Sequence, residues 1–161
     1  MANRVLVSME DGLDEVPYLE KAEAFMLKAL EVAGYDGEEI SVMFCSDNCI
    51  QELNRTYRNI DEPTDVLSFE NGEKFTDEDG TEWLEAGDIA ISLETLPKNA
   101  AYFDVDEDEE LKRLLVHGML HLNGYDHGEE HVEKGVEPVC EMLKKQKEIL
   151  QALQAEKIID N

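Results

Sequence analysis

The chain has 161 residues, of which 42% are hydrophobic, so it can bury a core as one domain and is not disordered throughout. Its 14 basic and 39 acidic residues give a net charge of −25, which argues against nonspecific binding to DNA, other nucleic acids or anionic membranes. Residues 1–9 lack signal-peptide features, no apolar run reaches membrane-spanning length, and the three cysteines form no C-x-x-C pair. We therefore expect a single domain over residues 1–161, in the reducing environment of the cytoplasm.

Hydrophobic periodicity in the first part of the chain predicts alternating strands and helices. Residues 4–9 are expected to form an edge strand, and residues 39–44 alternate as in a second strand. Between them, residues 15–33 carry apolar side chains at helical spacing. A second helix is expected next, with Ser46 or Asp47 as its cap. On one face it presents Ile50, Leu53 and Tyr57.

Residues 54–69, NRTYRNIDEPTDVLSF, combine the end of this helix with a turn and a strand. Two of the chain's four arginines lie here, Arg55 and Arg58. On composition alone, both are explained as surface ion pairs with the abundant carboxylates. Alternatively, Arg58 is held beside the turn to bind a phosphate or a carboxylate through two hydrogen bonds.

The chain after residue 70 contains one polar segment and further regular elements. Residues 71–83 are rich in Asp, Glu and Gly and are expected to form a solvated loop or a short hairpin. Residues 87–92 predict a strand, residues 97–103 a brief helix, and residues 104–110 an acidic helix start. Buried faces are expected on that helix (Leu111, Leu114, Leu115, Gly118, Leu122) and on a last one (Val136, Val139, Leu143, Leu150, Leu153). Together these elements predict an α+β fold, a small mixed sheet of about four strands with helices packed on it.

Three of the four histidines lie within eleven residues, in the run HGMLHLNGYDH. His117 and His121 stand four positions apart, so they share one face of a helix and one metal ion can contact both. Gly124 can adopt a left-handed backbone that ends the helix, which brings His127 within reach as a third nitrogen. Three neutral imidazoles predict a catalytic-type site at the end of this helix, with one zinc ion and an open coordination position. Nickel, copper and iron also suit imidazole ligands.

Other interpretations of the histidines stay open. They can be incidental to a capped amphipathic helix, or they can belong to a structural metal site, which needs a fourth ligand. The nearest candidates for that ligand are Asp126, His131 and Cys140. Metalloproteases share this histidine and glycine spacing but place a glutamate base where this chain has Gly118, so peptide hydrolysis by that route is not supported.

Four blocks of the sequence together resemble the YbeY family, bacterial metal-dependent endoribonucleases that take part in maturing small-subunit ribosomal RNA. The blocks are residues 54–69, 87–92, 114–122 and 124–127. The resemblance implies that His117, His121 and His127 hold the metal, usually zinc, and that Arg58 lines the same cleft. It also suggests ribosomal proteins and a ribosome-associated GTPase as partners.

The expected function is thus a metal-dependent endoribonuclease that cleaves single-stranded RNA in ribosomal RNA maturation and ribosome quality control. Arg58 would stabilise the negative charge of the transition state. The alternatives are a ribosome assembly factor with a structural metal, and a zinc hydrolase of small molecules or peptides. The last would need a general base in place of Gly118.

Overall fold

The structure, a computed structural model, describes residues 2–125 and 140–159. Within these residues the chain forms four strands and five helices. In chain order they are β1 (Arg4–Met9), α1 (Leu19–Val32), β2 (Glu38–Cys45), α2 (Asp47–Arg58), β3 (Val66–Thr76), β4 (Glu82–Ser92), α3 (Thr95–Phe103), α4 (Glu107–Leu122) and α5 (Glu141–Ala152). The predicted α+β fold, a mixed sheet of about four strands with helices packed on it, is confirmed. No helix in the described ranges has the length and apolar character needed to cross a membrane.

The order of strands in the sheet is β1-β2-β4-β3. β1, β2 and β4 run parallel, and β3 runs antiparallel to β4. β1 therefore lies at an edge, as predicted. β3 forms the other edge of the described sheet, and a large cleft lies along its first five residues.

The acidic segment of residues 71–83 is more regular than its composition indicates. Of the two predicted forms, a loop or a short hairpin, the structure shows a hairpin, which is longer than expected because the segment extends both β3 and β4 to 11 residues. The carboxylate of Asp77 stabilises the turn by accepting hydrogen bonds from the backbone N–H groups of Asp79 and Thr81 and from the indole N–H of Trp83. Hydrophobic periodicity does not include such local hydrogen bonds, so the strands predicted from the sequence are shorter than those in the structure.

The helices cover both faces of the sheet. Ile89 and Ile91 of β4 belong to the main core, together with the buried residues of α4. Ala90, between them, packs instead with Ile50 of α2 in a smaller cluster. Because successive side chains of a strand point to opposite faces, α4 and α2 lie on opposite sides of the sheet. The buried face predicted for α4 is confirmed for Leu111, Leu114, Leu115, Gly118 and Leu122.

Two helices differ from their predictions at the ends. α1 begins at Leu19 rather than at residue 15, and Val16 and Tyr18 pack on the core from a non-helical lead-in. Apolar spacing alone does not distinguish such a lead-in from a first helical turn. α5 begins at Glu141. Of its predicted apolar face, Leu143 and Leu153 are buried, Leu150 is half-buried, and Val136 and Val139 lie outside the described residues.

Gly87 lies where β3, β4 and α4 meet. Its φ is +144°, in a range that residues with a side chain rarely adopt. A Cβ at this position would collide with the carbonyl oxygen of Phe69 and would lie 2.8 Å from Leu122 Cδ2. Glycine is therefore needed for the close approach of α4 to the edge of the sheet.

The acidic run at the start of α4 includes one cap and two buried carboxylates. Asp106 is the N-cap residue, and its carboxylate accepts a hydrogen bond from the backbone N–H of Glu109, as expected for an acidic helix start. Asp108 and Glu110, however, are both buried at 1% exposure. Interaction with the helix dipole explains why acidic residues occur at the start of α4, but not why these two carboxylates are buried. Each of them has specific partners in the fold.

The partners of Asp108 lie close to the end of the chain. Its Oδ1 accepts hydrogen bonds from the backbone N–H groups of Ile158 and Ile159. One helical turn further, Lys112 Nζ donates a hydrogen bond to the carbonyl of Glu156 and lies 3.6 Å from Asp108 Oδ2. We call these contacts the C-terminal clasp. They tie the segment that follows α5 to the first half of α4.

Candidate active site

The cleft along β3 has a volume of about 1020 Å³. Its walls come from the end of α2, the start of β3, α3, α4 and one residue of α5. The residues that carry its chemistry are Tyr57, Arg58, Asp65, Phe69, Tyr102, Phe103, Arg113, His117 and His121. Arg58 and the two helical histidines, which lie far apart in sequence, thus line one cavity.

His117 and His121 lie on the same face of α4, as their spacing predicts. Their ring centroids are 4.7 Å apart, with 73° between the ring planes. Two imidazoles placed side by side on the wall of an open cleft fit two ligands of one transition-metal ion. The predicted third ligand, His127, lies outside the described residues. Gly124, with φ of +89°, ends the helical segment as expected.

The structural-metal alternative needs more protein ligands than the described residues provide. Asp126 and His131, two of its candidate ligands, lie outside the described residues. Cys140 is half-buried at the N-cap position of α5. Across residues 2–125 and 140–159, no group of three or more His, Cys, Asp or Glu side chains is arranged to hold a metal. Cys140 therefore does not complete a three-residue site with His117 and His121.

Gln146 of α5 contacts the first of the two histidines. Its Oε1 lies 2.9 Å from His117 Nδ1, and the glutamine is only 3% exposed. Sequence reasoning missed this residue, because a single glutamine on an amphipathic helix gives no signal of its own. The partners are separated by 29 positions in the chain, and only the packing of α5 on α4 brings them together.

Arg58 is the last residue of α2, and Asn59 follows in the left-handed conformation with φ of 60°. Its Nη2 donates a 2.6 Å hydrogen bond to the carbonyl of Ser68, and its guanidinium carbon lies 5.4 Å from the centre of the Phe69 ring. Arg55 instead pairs with Glu52 at 3.4 Å on the surface. Among the described residues no carboxylate pairs with Arg58, so the surface ion pair explains only Arg55.

Arg113 is a second cleft arginine that sequence reasoning missed. It forms two hydrogen bonds with the buried Glu110, at 2.8 and 2.7 Å, and its Nη2 lies 3.6 Å from Asp65 Oδ2. Burial lowers the pKa of Arg113, but the hydrogen bonds and charge of Glu110 outweigh that effect and raise it, so the guanidinium stays charged. The sequence contains one indication that Arg113 belongs to the site. It stands four residues before His117, so both side chains lie on the same face of the helix.

Asp65, the aspartate of the PTD sequence, is held by several hydrogen bonds. Its Oδ1 accepts from the backbone N–H of Val66 at 2.7 Å, and its Oδ2 accepts from Asn99 Nδ2 at 2.8 Å. These bonds fix the carboxylate beside Arg113 and connect the start of β3 to α3. The cleft therefore contains two guanidinium groups in a chain that is acidic overall.

Gly118, which occupies the position of the metalloprotease glutamate, faces the sheet. A Cβ added there would lie 2.8 Å from Ile89 Cδ1 and 3.1 Å from two further atoms of the same side chain. A glutamate at this position would direct its carboxylate into the main core rather than the cleft. The site therefore has no room for the base on which the protease mechanism depends.

Comparisons with known proteins find relatives that match most of the chain. A family model described as Endoribonuclease YbeY matches residues 9–154. An Endoribonuclease YbeY from Treponema denticola is 47% identical over 154 residues, covering 93% of each chain, and one from Aquifex aeolicus is 44% identical, covering 84% of this chain and 81% of the relative. A solution structure from Thermotoga maritima matches with a TM-score of 0.60 and 28% identity, covering 94% of this chain and 90% of that one. The predicted resemblance is confirmed, and the chain belongs to the YbeY endoribonuclease family.

Proposed function

We propose that this chain is a metal-dependent endoribonuclease that cleaves single-stranded RNA during maturation of small-subunit ribosomal RNA. Family membership supports the endoribonuclease role and RNA as the substrate. The observation that carries the proposal is that Arg58, His117 and His121 line one open cleft. We place the activity in the cytoplasm, whose reducing environment suits an odd number of cysteines with no C-x-x-C pair.

His117 and His121 would hold one metal ion together with His127. Zinc suits three imidazole ligands, and nickel is an alternative. When bound, zinc supplies Lewis acidity toward a phosphate oxygen and lowers the pKa of water toward neutrality. His117 and His121 both lie on α4, one turn apart, so the helix places their two rings before substrate enters.

Arg58 would bind the phosphate at the cleavage point. One of its five N–H donors is used on the carbonyl of Ser68, which fixes the orientation of the guanidinium. The remaining donors can form a bidentate contact with phosphate oxygens. Cleavage of a phosphodiester increases negative charge on those oxygens, so a prepositioned guanidinium stabilises the transition state more than the ground state.

Aromatic side chains on both walls of the cleft support a single-stranded substrate. Tyr57 packs edge to face on Phe69, with ring centroids 5.4 Å apart, and Tyr102 packs similarly on Phe103 at 4.9 Å. The two tyrosines are 63% and 68% exposed. Exposed rings can stack on RNA bases only when those bases are unpaired and turned out of a helix.

We expect Tyr102→Leu to raise KM for single-stranded RNA with little change in kcat. Stacking contributes about 1–3 kcal/mol per base, so the expected increase is roughly 5- to 150-fold. Tyr102→Phe keeps the ring and should stay near the wild-type value. Val32→Ala, which shortens an exposed apolar side chain of α1 outside the cleft, serves as the control. Equal KM values for Tyr102→Leu and the control would remove the stacking role.

The proposed function is tested by assays of the purified protein on single-stranded and duplex RNA, before and after chelation. We expect cleavage of the single strand, loss of activity on chelation, and recovery on addition of zinc. Equal activity in the native and chelated protein would exclude metal dependence, and intact RNA in every assay would exclude the nuclease. Products that end in a 2′,3′-cyclic phosphate would show that the RNA 2′-hydroxyl, not water, attacks.

The net charge of −25 favours delivery of the RNA through a protein contact. We therefore propose ribosomal proteins or a ribosome-associated GTPase as partners. The same charge favours a second candidate function, that of an assembly factor whose metal stabilises the fold. An Arg58→Ala variant that still supported ribosome maturation in cells while failing to cleave RNA would favour this second function.

A further inference from the structure

Gln146 is a buried polar residue on an otherwise apolar helix face. Its neighbours on that face, Met142, Leu143 and Ile149, are at most 3% exposed. Burying an amide without a hydrogen bond is costly, so the contact with His117 Nδ1 at 2.9 Å gives this glutamine a specific partner. The glutamine therefore makes a contact with His117 that an apolar residue could not make.

The contact determines which nitrogen of His117 carries the proton. A glutamine oxygen only accepts hydrogen bonds, so Nδ1 must donate. The lone pair of the neutral ring then lies on Nε2. Neutral imidazole in water prefers the opposite arrangement, with the proton on Nε2, and the contact with Gln146 thus reverses the intrinsic preference. Metal ligation requires a neutral ring whose lone pair is on the ligating nitrogen.

We propose that Gln146 is a positioning residue, which holds His117 in the tautomer with the proton on Nδ1 and so prepares Nε2 as a metal ligand. The inference rests on the metal-dependent function proposed above. The tautomer itself is a property of the metal-free protein. It can therefore be measured whether or not the chain binds a metal or cleaves RNA.

Contacts on both sides of Gln146 keep it against His117. α5 packs on α4 through the apolar residues of the main core, which include Met142 and Ile149. Beyond the end of α5, the C-terminal clasp fastens the following segment to Asp108 and Lys112 of α4. The helix that carries the histidine is thus joined to the helix that carries its partner at two places.

The direct test is ¹⁵N NMR of the metal-free protein labelled at histidine, above the pH at which the rings are protonated. Long-range ¹H–¹⁵N correlations distinguish the two neutral tautomers, and a His117→Gln variant assigns the signals. We expect the proton on Nδ1 of His117 in the wild type and in Gln146→Glu, whose carboxylate also accepts. In Gln146→Met, of similar shape without an acceptor, we expect the proton on Nε2.

Zinc affinity, measured by competition with a chelator, gives the second readout. Loss of a partner to a ligating histidine costs about 10–100-fold in affinity, so we expect that weakening in Gln146→Met and none in Gln146→Glu. Glu148→Gln, an exposed neighbour on α5, is the matched control.

A wild-type His117 with its proton on Nε2, or a Gln146→Met variant with unchanged tautomer, would overturn the inference. If Gln146→Met fails to fold, Gln146→Leu, which also lacks an acceptor, takes its place with the same expected tautomer. RNA left uncleaved by a protein with the expected tautomer would count only against the proposed function.

Discussion

His121→Ala is expected to remove both zinc binding and RNA cleavage. A catalytic zinc site holds its ion with three protein ligands, and this variant leaves only His117 and His127 of the predicted set. Loss of an outer partner already costs about 10–100-fold, so loss of a ligand should exceed ~100-fold in both zinc affinity and cleavage rate. Alanine is the best helix former, so α4 should stay folded. The measurements are chelator competition and single-turnover cleavage.

His131→Ala is the matched control for this variant. It removes the fourth histidine, which the open, three-ligand site does not include. We expect wild-type zinc affinity and cleavage. Equal loss of zinc in both variants would instead indicate a closed, four-ligand site, as the assembly-factor hypothesis requires. Full cleavage by His121→Ala would disprove the metal-centred mechanism itself.

Arg58→Ala is expected to lower kcat by about 10²–10³-fold, the effect of removing one prepositioned donor from a developing negative charge. Zinc affinity should not change, since Arg58 contacts Ser68 and Phe69 rather than the histidines. Arg58→Lys should recover little, because an ammonium cannot form the two parallel hydrogen bonds of a guanidinium. The side chain is exposed, so the melting temperature should stay near that of the wild type.

Arg55→Ala provides an internal comparison from the same helix. Arg55 lies one turn before Arg58, is 56% exposed, and pairs with Glu52 on the surface. Removing it deletes the same charge from the acidic chain without touching the cleft along β3. We expect its kcat to match the wild type. Similar losses in both variants would mean that overall charge, not the position of Arg58, accounts for the effect.

The features that sequence predicted are those determined by local spacing. Alternation and helical periodicity gave the strands and the buried face of α4, and the four-residue spacing of His117 and His121 placed both rings on one face. The motif of residues 54–69 identified Arg58 as a candidate site residue. The hydrogen bond from its guanidinium to the carbonyl of Ser68, which orients the side chain, is visible only in the structure. His127 lies outside the described residues, and its role stays a prediction.

The features that sequence missed depend on contacts between distant parts of the chain. Gln146 and Tyr102 gain their significance from the elements that face them, and neither has a distinctive local pattern. Arg113 and Glu110 were missed because they lie in or beside an acidic run that was interpreted, from its composition, as the start of a helix. The burial of Glu110 and the partial burial of Arg113 follow from the docking of α3 and β3 on α4, a tertiary effect that periodicity along the sequence does not contain.

The C-terminal clasp has a consequence for the order in which the nuclease matures during translation. Asp108 lies near the start of α4, the helix that carries His117 and His121. The backbone N–H groups that donate hydrogen bonds to it belong to Ile158 and Ile159, which are translated about fifty residues later. A nascent chain that still lacks them leaves a carboxylate without its partners where the finished protein buries it, at a cost of about 1–3 kcal/mol or more. Gln146 is also translated after the histidine that it contacts. The carboxylate of Asp108 and the ring of His117 therefore both gain these partners only after the segments that follow α4 have been translated.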